Sequence, residues 1–301
     1  MNTDFQKFDA IPPHNFSARL RLYWKLIRAD RPIGIYLLMW PALWALWIAG
    51  QGQPTWWVVL IFVAGTALMR SAGCAINDYA DRDFDGQVER TKERPLATGQ
   101  ISGKEALMVF AVLALTAFAL VLFLNTATIM HSFVAVVLAA IYPFMKRYTH
   151  MPQVFLGMAF GWAIPMAFTA LTDGIPFFAW YLFVATVIWA LIYDTMYAMV
   201  DREDDLKVGI KSTAILFGNH DRHIIGGLQI IMLGLLWYVG QQAGLGLYYQ
   251  IGLAAGAALF VYQQYLIRDR ERMSCFKAFL NNNWFGMVVF IGLFCDYLLA
   301  Q

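Results

Sequence analysis

Two short stretches hold nine of the chain's twenty carboxylates. The first, NDYADRDFDG over residues 77–86, carries Asp78, Asp81, Asp83 and Asp85. The second, YDTMYAMVDREDD over 193–205, carries Asp194, Asp201, Glu203, Asp204 and Asp205. Asn77, Asp81 and Asp85 stand at i, i+4, i+8. Asp201 and Asp205 stand at i, i+4, and Asp194 lies seven residues before Asp201. On a helix each set lines one face, and like charges at that spacing repel unless cations neutralise them. Oxygen-only donors suit hard cations, and Mg²⁺ takes one or two carboxylates together with substrate phosphates. Two facing sets would therefore hold Mg²⁺ around a diphosphate. One acidic run at a membrane boundary reads more simply as a solvated loop. Its recurrence with the same spacing favours a site. The five histidines show no zinc-like spacing with the cysteines or with each other.

Basic residues follow both acidic stretches: Arg90, Lys92 and Arg94 after the first, Lys207 and Lys211 after the second. A diphosphate needs cationic partners besides a metal. The same residues would equally serve to set membrane topology. Tyr142 and Lys146 in IYPFMKRYTH share a helical face at i, i+4. Arg70 interrupts an apolar run seven residues before Asn77, roughly 10 Å deeper on about the same face. An arginine inside a span costs roughly 2.5–3.5 kcal/mol on insertion scales. Such residues face a bundle interior or a wet cavity. Arg70 thus reads as a seat for a diphosphate oxygen or a substrate carboxylate, with an ion pair to Asp194 or snorkelling as the structural alternatives.

The elements that must position these groups are membrane spans. The chain is 60% hydrophobic and 14% charged, against about half and a quarter in soluble domains. Apolar segments fall near 33–50, 56–76, 104–124, 128–145, 153–171, 177–199, 223–241, 246–267 and 280–300. They are too long and too poorly alternating for barrel strands. The pattern predicts an all-α polytopic membrane protein with a bundle of nine transmembrane helices. The connections GQGQPT, NTAT, LTDGIP and QQAGLG carry no lysine or arginine. All 22 basic residues lie in the N-terminal segment, in the other connections or near the same span ends. That asymmetry predicts a cytoplasmic N-terminus and an outside C-terminus.

The expected organisation is one membrane-embedded domain over 1–301. Residues 17–32 read as an interfacial helix or a topology-setting basic flank. Residues 77–103 and 200–222 read as long cytoplasmic connections, and their similarity as a weak internal repeat. Cys74, Cys275 and Cys295 form no CxxC pair and read as packing residues. No signal peptide is apparent.

At these residues the sequence resembles the UbiA superfamily of intramembrane prenyltransferases. The superfamily's NDxxDxxxD pattern is met from Asn77 to Asp85, its DxxxD pattern by Asp201 and Asp205, and its YxxxK pattern by Tyr142 and Lys146. The blocks RADRPIGIYLLMWPALWALW, RPLATG, YPFMKRYTHMPQ and DREDDLKVGIKSTAILFG are similar to the bacterial 4-hydroxybenzoate polyprenyltransferases of ubiquinone synthesis.

The resemblance implies Mg²⁺-dependent transfer of a polyprenyl group from a polyprenyl diphosphate to the ring carbon ortho to the hydroxyl of 4-hydroxybenzoate, in a bacterial inner membrane with the site toward the cytoplasm. It implies Asn77, Asp81, Asp85, Asp201 and Asp205 as metal ligands. Lys146, Lys207, Lys211 and Arg94 would bind diphosphate, and Arg70, Tyr142 and Asp194 would lie at the aromatic acid. The implied partners are the two substrates and the lipid bilayer, with no nucleic acid and no obligatory protein. Another aromatic acceptor, or an ion-coupled secondary transporter, are the competing readings. A transporter site would sit nearer the midplane and between inverted repeats.

Overall fold

The computed structural model describes residues 16–86 and 91–299. All regular structure in these residues is helical: α1 Phe16–Leu26, α2 Ile33–Ala49, α3 Trp56–Asp85, α4 Gly103–Val121, α5 Thr126–Tyr148, α6 Pro152–Gly161, α7 Ala163–Leu171, α8 Phe177–Val208, α9 Thr213–Phe217, α10 Asp221–Gln242, α11 Leu247–Leu266 and α12 Arg272–Leu299. Among the described residues, seven segments are long and apolar enough to cross a membrane: α3, α4, α5, α6 with α7, α8, α9 with α10, and α12. α2 is apolar but only 17 residues long. α11 has the length, but Gln250, Gln263 and Gln264 lower its hydropathy. In lipid only α-helices and closed β-barrels leave no backbone group without a partner, and long apolar runs without strict alternation settle into the helix.

Local chemistry sets several boundaries. Ser102 and Glu105 form a reciprocal capping box that starts α4, and Asn125 caps α5 through the Thr128 N–H. Residues 153–171 were expected as one helix, but α6 and α7 break at Trp162. Pro165 has no N–H to give the Gly161 carbonyl, so the ladder is interrupted there. The N-terminal helix also ends earlier than expected, at Leu26 rather than near residue 32. Arg28 then takes φ 55°, a left-handed conformation that turns the chain into α2. Leu20 and Trp24 of α1 are exposed, as an interfacial face requires, while Leu22 and Leu26 on the other side dock onto Ala75, Leu96, Ile101 and Ala106.

α8 is the central post of the bundle and packs against α6, α10 and α12. Trp189 on α8 stacks on Trp44 of α2 with centroids 5.3 Å apart. Because lipid gives helices little hydrophobic reason to associate, close contact through small residues matters. A Cβ on Gly157 of α6 would sit 2.8 Å from Val187 Cα of α8, and one on Gly252 of α11 3.0 Å from Gly292 Cα of α12. Three consecutive asparagines on α12 also bind three different partners. Asn281 Oδ1 accepts from Gln263 of α11, Asn282 Oδ1 from Trp189 Nε1 of α8, and Asn283 Oδ1 from Trp40 Nε1 of α2. Successive helix positions point about 100° apart, so one short run reaches three neighbours.

Candidate active site

α3 and α8 both run past their apolar segments, to Asp85 and Val208. At 30 and 32 residues they are roughly 45–48 Å long. Both acidic stretches are therefore helical, and the spacing read from the sequence becomes a real face. Asn77, Asp81 and Asp85 line a cavity of about 570 Å³, and Asp194, Asp201 and Asp205 line the same cavity. Asp78 and Asp83 lie off that face. Asp78 is buried and paired with Arg28 at 2.6 Å and Arg94 at 3.1 Å, whereas Asp83 is exposed beside Arg82. Asp204 also turns away, toward Arg272 at 3.1 Å.

The donors at the acidic end are all oxygens. Among the described residues, no three His, Cys, Asp or Glu side chains converge as a metal-holding group. The carboxylates instead come as sets from two helices, which matches a hard cation that completes its shell with substrate phosphates and water. Asn77 Oδ1 supports that fit: it is buried at the cavity with no hydrogen-bond partner. A buried carbonyl oxygen left unpaired is costly unless something else binds it.

The cations divide into those at the cavity and those away from it. Arg94 lines it, but its guanidinium already holds Asp85 at 2.7 Å and Asp78 at 3.1 Å. Burial pushes the Asp85 carboxyl above its usual range, while Arg94 pulls it back. Lys211 lines the cavity, with Nζ 3.4 Å from the Tyr148 carbonyl. Lys207 does not: it is exposed and pairs with Asp204 at 3.4 Å. Lys146 lies in α5, and its side chain is outside the described residues, as is Arg90. Gly209, with φ 73°, ends α8 and reverses the chain. Ile210, Lys211 and Ser212 then return along the cavity wall, where Ser212 Oγ is buried without a partner.

Deeper in, Arg70, Tyr142 and Asp194 all line the cavity, joined by Tyr193. Arg70 Nη1 donates to Cys74 Sγ at 3.1 Å. The ion pair with Asp194 considered from the sequence is not formed among the described residues. A thiol is a weak, neutral acceptor, so this interior guanidinium keeps its charge available to the cavity. Beyond Arg70 the lining becomes apolar, with Phe62, Met69, Phe118, Val121, Leu124 and Met166. Sequence reasoning missed Lys25, Arg28, Gln153, Tyr193 and Ser212 as cavity residues. Only the clustering of basic residues before α2 hinted at the first two. The others carry no spacing signal.

A polar end with paired carboxylates, one intramembrane arginine and a long apolar end define a membrane enzyme that handles an anionic headgroup on an apolar chain. The UbiA prenyltransferase family model matches residues 38–290, and the chain belongs to this family. It is 63% identical over 288 residues to the 4-hydroxybenzoate octaprenyltransferase of Methylococcus capsulatus, covering 96% of this chain and 99% of that one. It is 61% identical over 282 residues to the protein of the same name in Nitrosococcus oceani, covering 94% and 99%. Its fold is similar to an apo UbiA homolog from Aeropyrum pernix, with TM-score 0.76 and 23% identity over 86% of this chain and 97% of that one. A UbiA homolog from Archaeoglobus fulgidus bound to GPP and Mg²⁺ aligns with TM-score 0.70 and 18% identity over 90% and 99%.

Proposed function

We propose that this chain transfers a polyprenyl group from a polyprenyl diphosphate to the carbon ortho to the hydroxyl of 4-hydroxybenzoate, as a step of ubiquinone synthesis. The observation that carries this reading is the identity of 63% along nearly the full length of both chains with a protein named for that activity. The cavity supports it independently: it combines carboxylate sets for a metal diphosphate, a deep cation for an aromatic acid and an apolar end for a prenyl tail. A transporter reading has no comparable support.

In the reaction the allylic C–O bond breaks, diphosphate leaves, and the ring carbon forms a C–C bond with the allylic carbon. The ring then loses its proton and regains aromaticity. Asn77, Asp81 and Asp85 on α3, with Asp201 and Asp205 on α8, would hold Mg²⁺. The chemistry it supplies when bound is countercharge for the departing diphosphate. Lys211 and Lys146 bind diphosphate oxygens. Arg94 does so by exchanging its contacts with Asp85 and Asp78. Lys207 has no geometric support for that role. Arg70 binds the acceptor carboxylate with Tyr142 beside it, and Asp194 orients one or the other. The apolar walls keep water from the allylic cation.

We further propose nine crossings, with α2 and α11 spanning beside the seven segments named above. The N-terminus and both acidic motifs face the cytoplasm of a bacterial inner membrane, and the C-terminus lies outside. The distribution of the 22 lysines and arginines supports this orientation. Residues 1–301 form one catalytic unit.

Membranes containing the protein should join 4-hydroxybenzoate to a polyprenyl diphosphate, read by product mass, and EDTA should stop the reaction. Asp81→Asn and Asp201→Asn should each lower kcat on the order of 100-fold. Full activity in either variant would remove that carboxylate from the clamp.

A further inference from the structure

Gly34 is the second residue of α2, and it is buried in the cavity wall. Its φ is not in the left-handed region that would demand glycine. Alanine is also the better helix former. Neither backbone shape nor helix propensity therefore accounts for a glycine here. Space does. A Cβ at residue 34 would stand 2.2 Å from Arg70 Nε, 2.5 Å from Nη2 and 2.7 Å from Cζ. The guanidinium of Arg70 lies against the bare Cα of Gly34 on one side and donates to Cys74 Sγ through Nη1.

We infer that Gly34 is a positioning residue for Arg70: it forms the seat that fixes where the guanidinium meets an anionic acceptor. The inference rests on the proposed role of Arg70 toward the acceptor carboxylate. Recognition of a carboxylate by a guanidinium depends on the fork being aligned within hydrogen-bond distance and angle. A methyl group at residue 34 would displace that fork by about 1 Å or more, since carbon contacts settle near 3.5–4.0 Å. What must yield is the end of a flexible side chain, not backbone. The helix itself gains from alanine. The substitution should therefore leave the fold intact and move the charge. Prenyl diphosphate, held at the acidic end, should not sense the change.

The test is steady-state kinetics on wild type, Gly34→Ala, Arg70→Ala and the double variant, with 4-hydroxybenzoate and polyprenyl diphosphate varied in turn. Thermal unfolding is followed in parallel. Gly34→Ala should raise KM for 4-hydroxybenzoate between about tenfold and a hundredfold. KM for the prenyl donor should stay within about twofold, and the midpoint of unfolding should be unchanged or higher. In the Arg70→Ala background, Gly34→Ala should add nothing, because coupled residues are not additive.

If Arg70→Ala raises the acceptor KM and Gly34→Ala does not, the seat is wrong while the role of Arg70 stands. If Arg70→Ala leaves that KM unchanged, the role of Arg70 falls and the seat with it. Additive effects, or a lower unfolding midpoint for Gly34→Ala, would make the glycine a packing residue only.

Discussion

At the scale of single residues, carboxylates at most seven positions apart have different fates. Asp81 and Asp85 face the cavity, whereas Asp78 lies between Arg28 and Arg94 with its side chain 2% exposed. Asp83 is 68% exposed beside Arg82. Removing one member of a buried ion cluster strands the other charges. Asp78→Asn should cost about 3 kcal/mol in detergent-solubilised unfolding, while Asp83→Ala should stay within about 0.5 kcal/mol. Equal effects would contradict the burial difference. Asp221 is a further carboxylate of the structural kind. It is fully buried, bound by Arg202 and Arg270, and its job is to tie α8, α10 and the α11–α12 turn together.

At the scale of elements, the two long helices matter because they carry their acidic faces beyond the apolar core. A helix that ended with its apolar run, at Ile76 or Met199, would leave Asp81 and Asp201 on loops with no fixed phase. α11 shows another principle. Its glutamines make it a weak span by hydropathy, yet Gln263 pairs inside the bundle: its Nε2 donates to Asn281 Oδ1 at 3.0 Å, and its Oε1 accepts from Gln229 Nε2 at 3.1 Å. Its other hold on α12 is direct backbone contact at Gly252 and Gly292. A Cβ on Gly292 would meet the Tyr248 carbonyl oxygen at 2.8 Å and Gly252 Cα at 2.9 Å. Backbone cannot rotate away as a side chain can. Gly292→Ala should therefore destabilise the chain by about 1–3 kcal/mol, measured as a lower unfolding midpoint. An unchanged midpoint would mean the two helices can separate freely. Asp296 of α12 adds a third tie by accepting from the Gly246, Tyr248 and Tyr249 N–H groups at the start of α11.

At the scale of the whole molecule, both acidic motifs border one cavity, so they lie at one end of the bundle. The proposed orientation puts that end in the cytoplasm. Cysteine labelling tests it on a chain whose Cys74, Cys275 and Cys295 are replaced by alanine. Gln53, in the connection just before α3, and Asp83, near the far end of α3, are both exposed and supply the sites for Gln53→Cys and Asp83→Cys. In spheroplasts an impermeant thiol reagent should label Gln53→Cys and not Asp83→Cys. Inverted vesicles should give the reverse. Labelling of Asp83→Cys in spheroplasts would overturn the orientation.

The helices, the two acidic faces and the interior Arg70 were legible in the sequence because each depends on local rules: apolar run length, a helical repeat near four and the cost of a charge in a span. The break at Trp162 was legible in principle from Pro165, but a hydropathy window averages over it. What tertiary structure alone decided concerns partners far apart in the chain. Spacing could not say that Arg94 holds Asp85 and Asp78, that Lys207 turns from the cavity, or that Ser212 returns to it after Gly209. Nor could it choose between Asp194 and Cys74 as the neighbour of Arg70. Gly34 shows the limit most clearly. Its sequence neighbourhood gives no sign of its contact, because the side chain that needs its missing Cβ is 36 positions away on another helix.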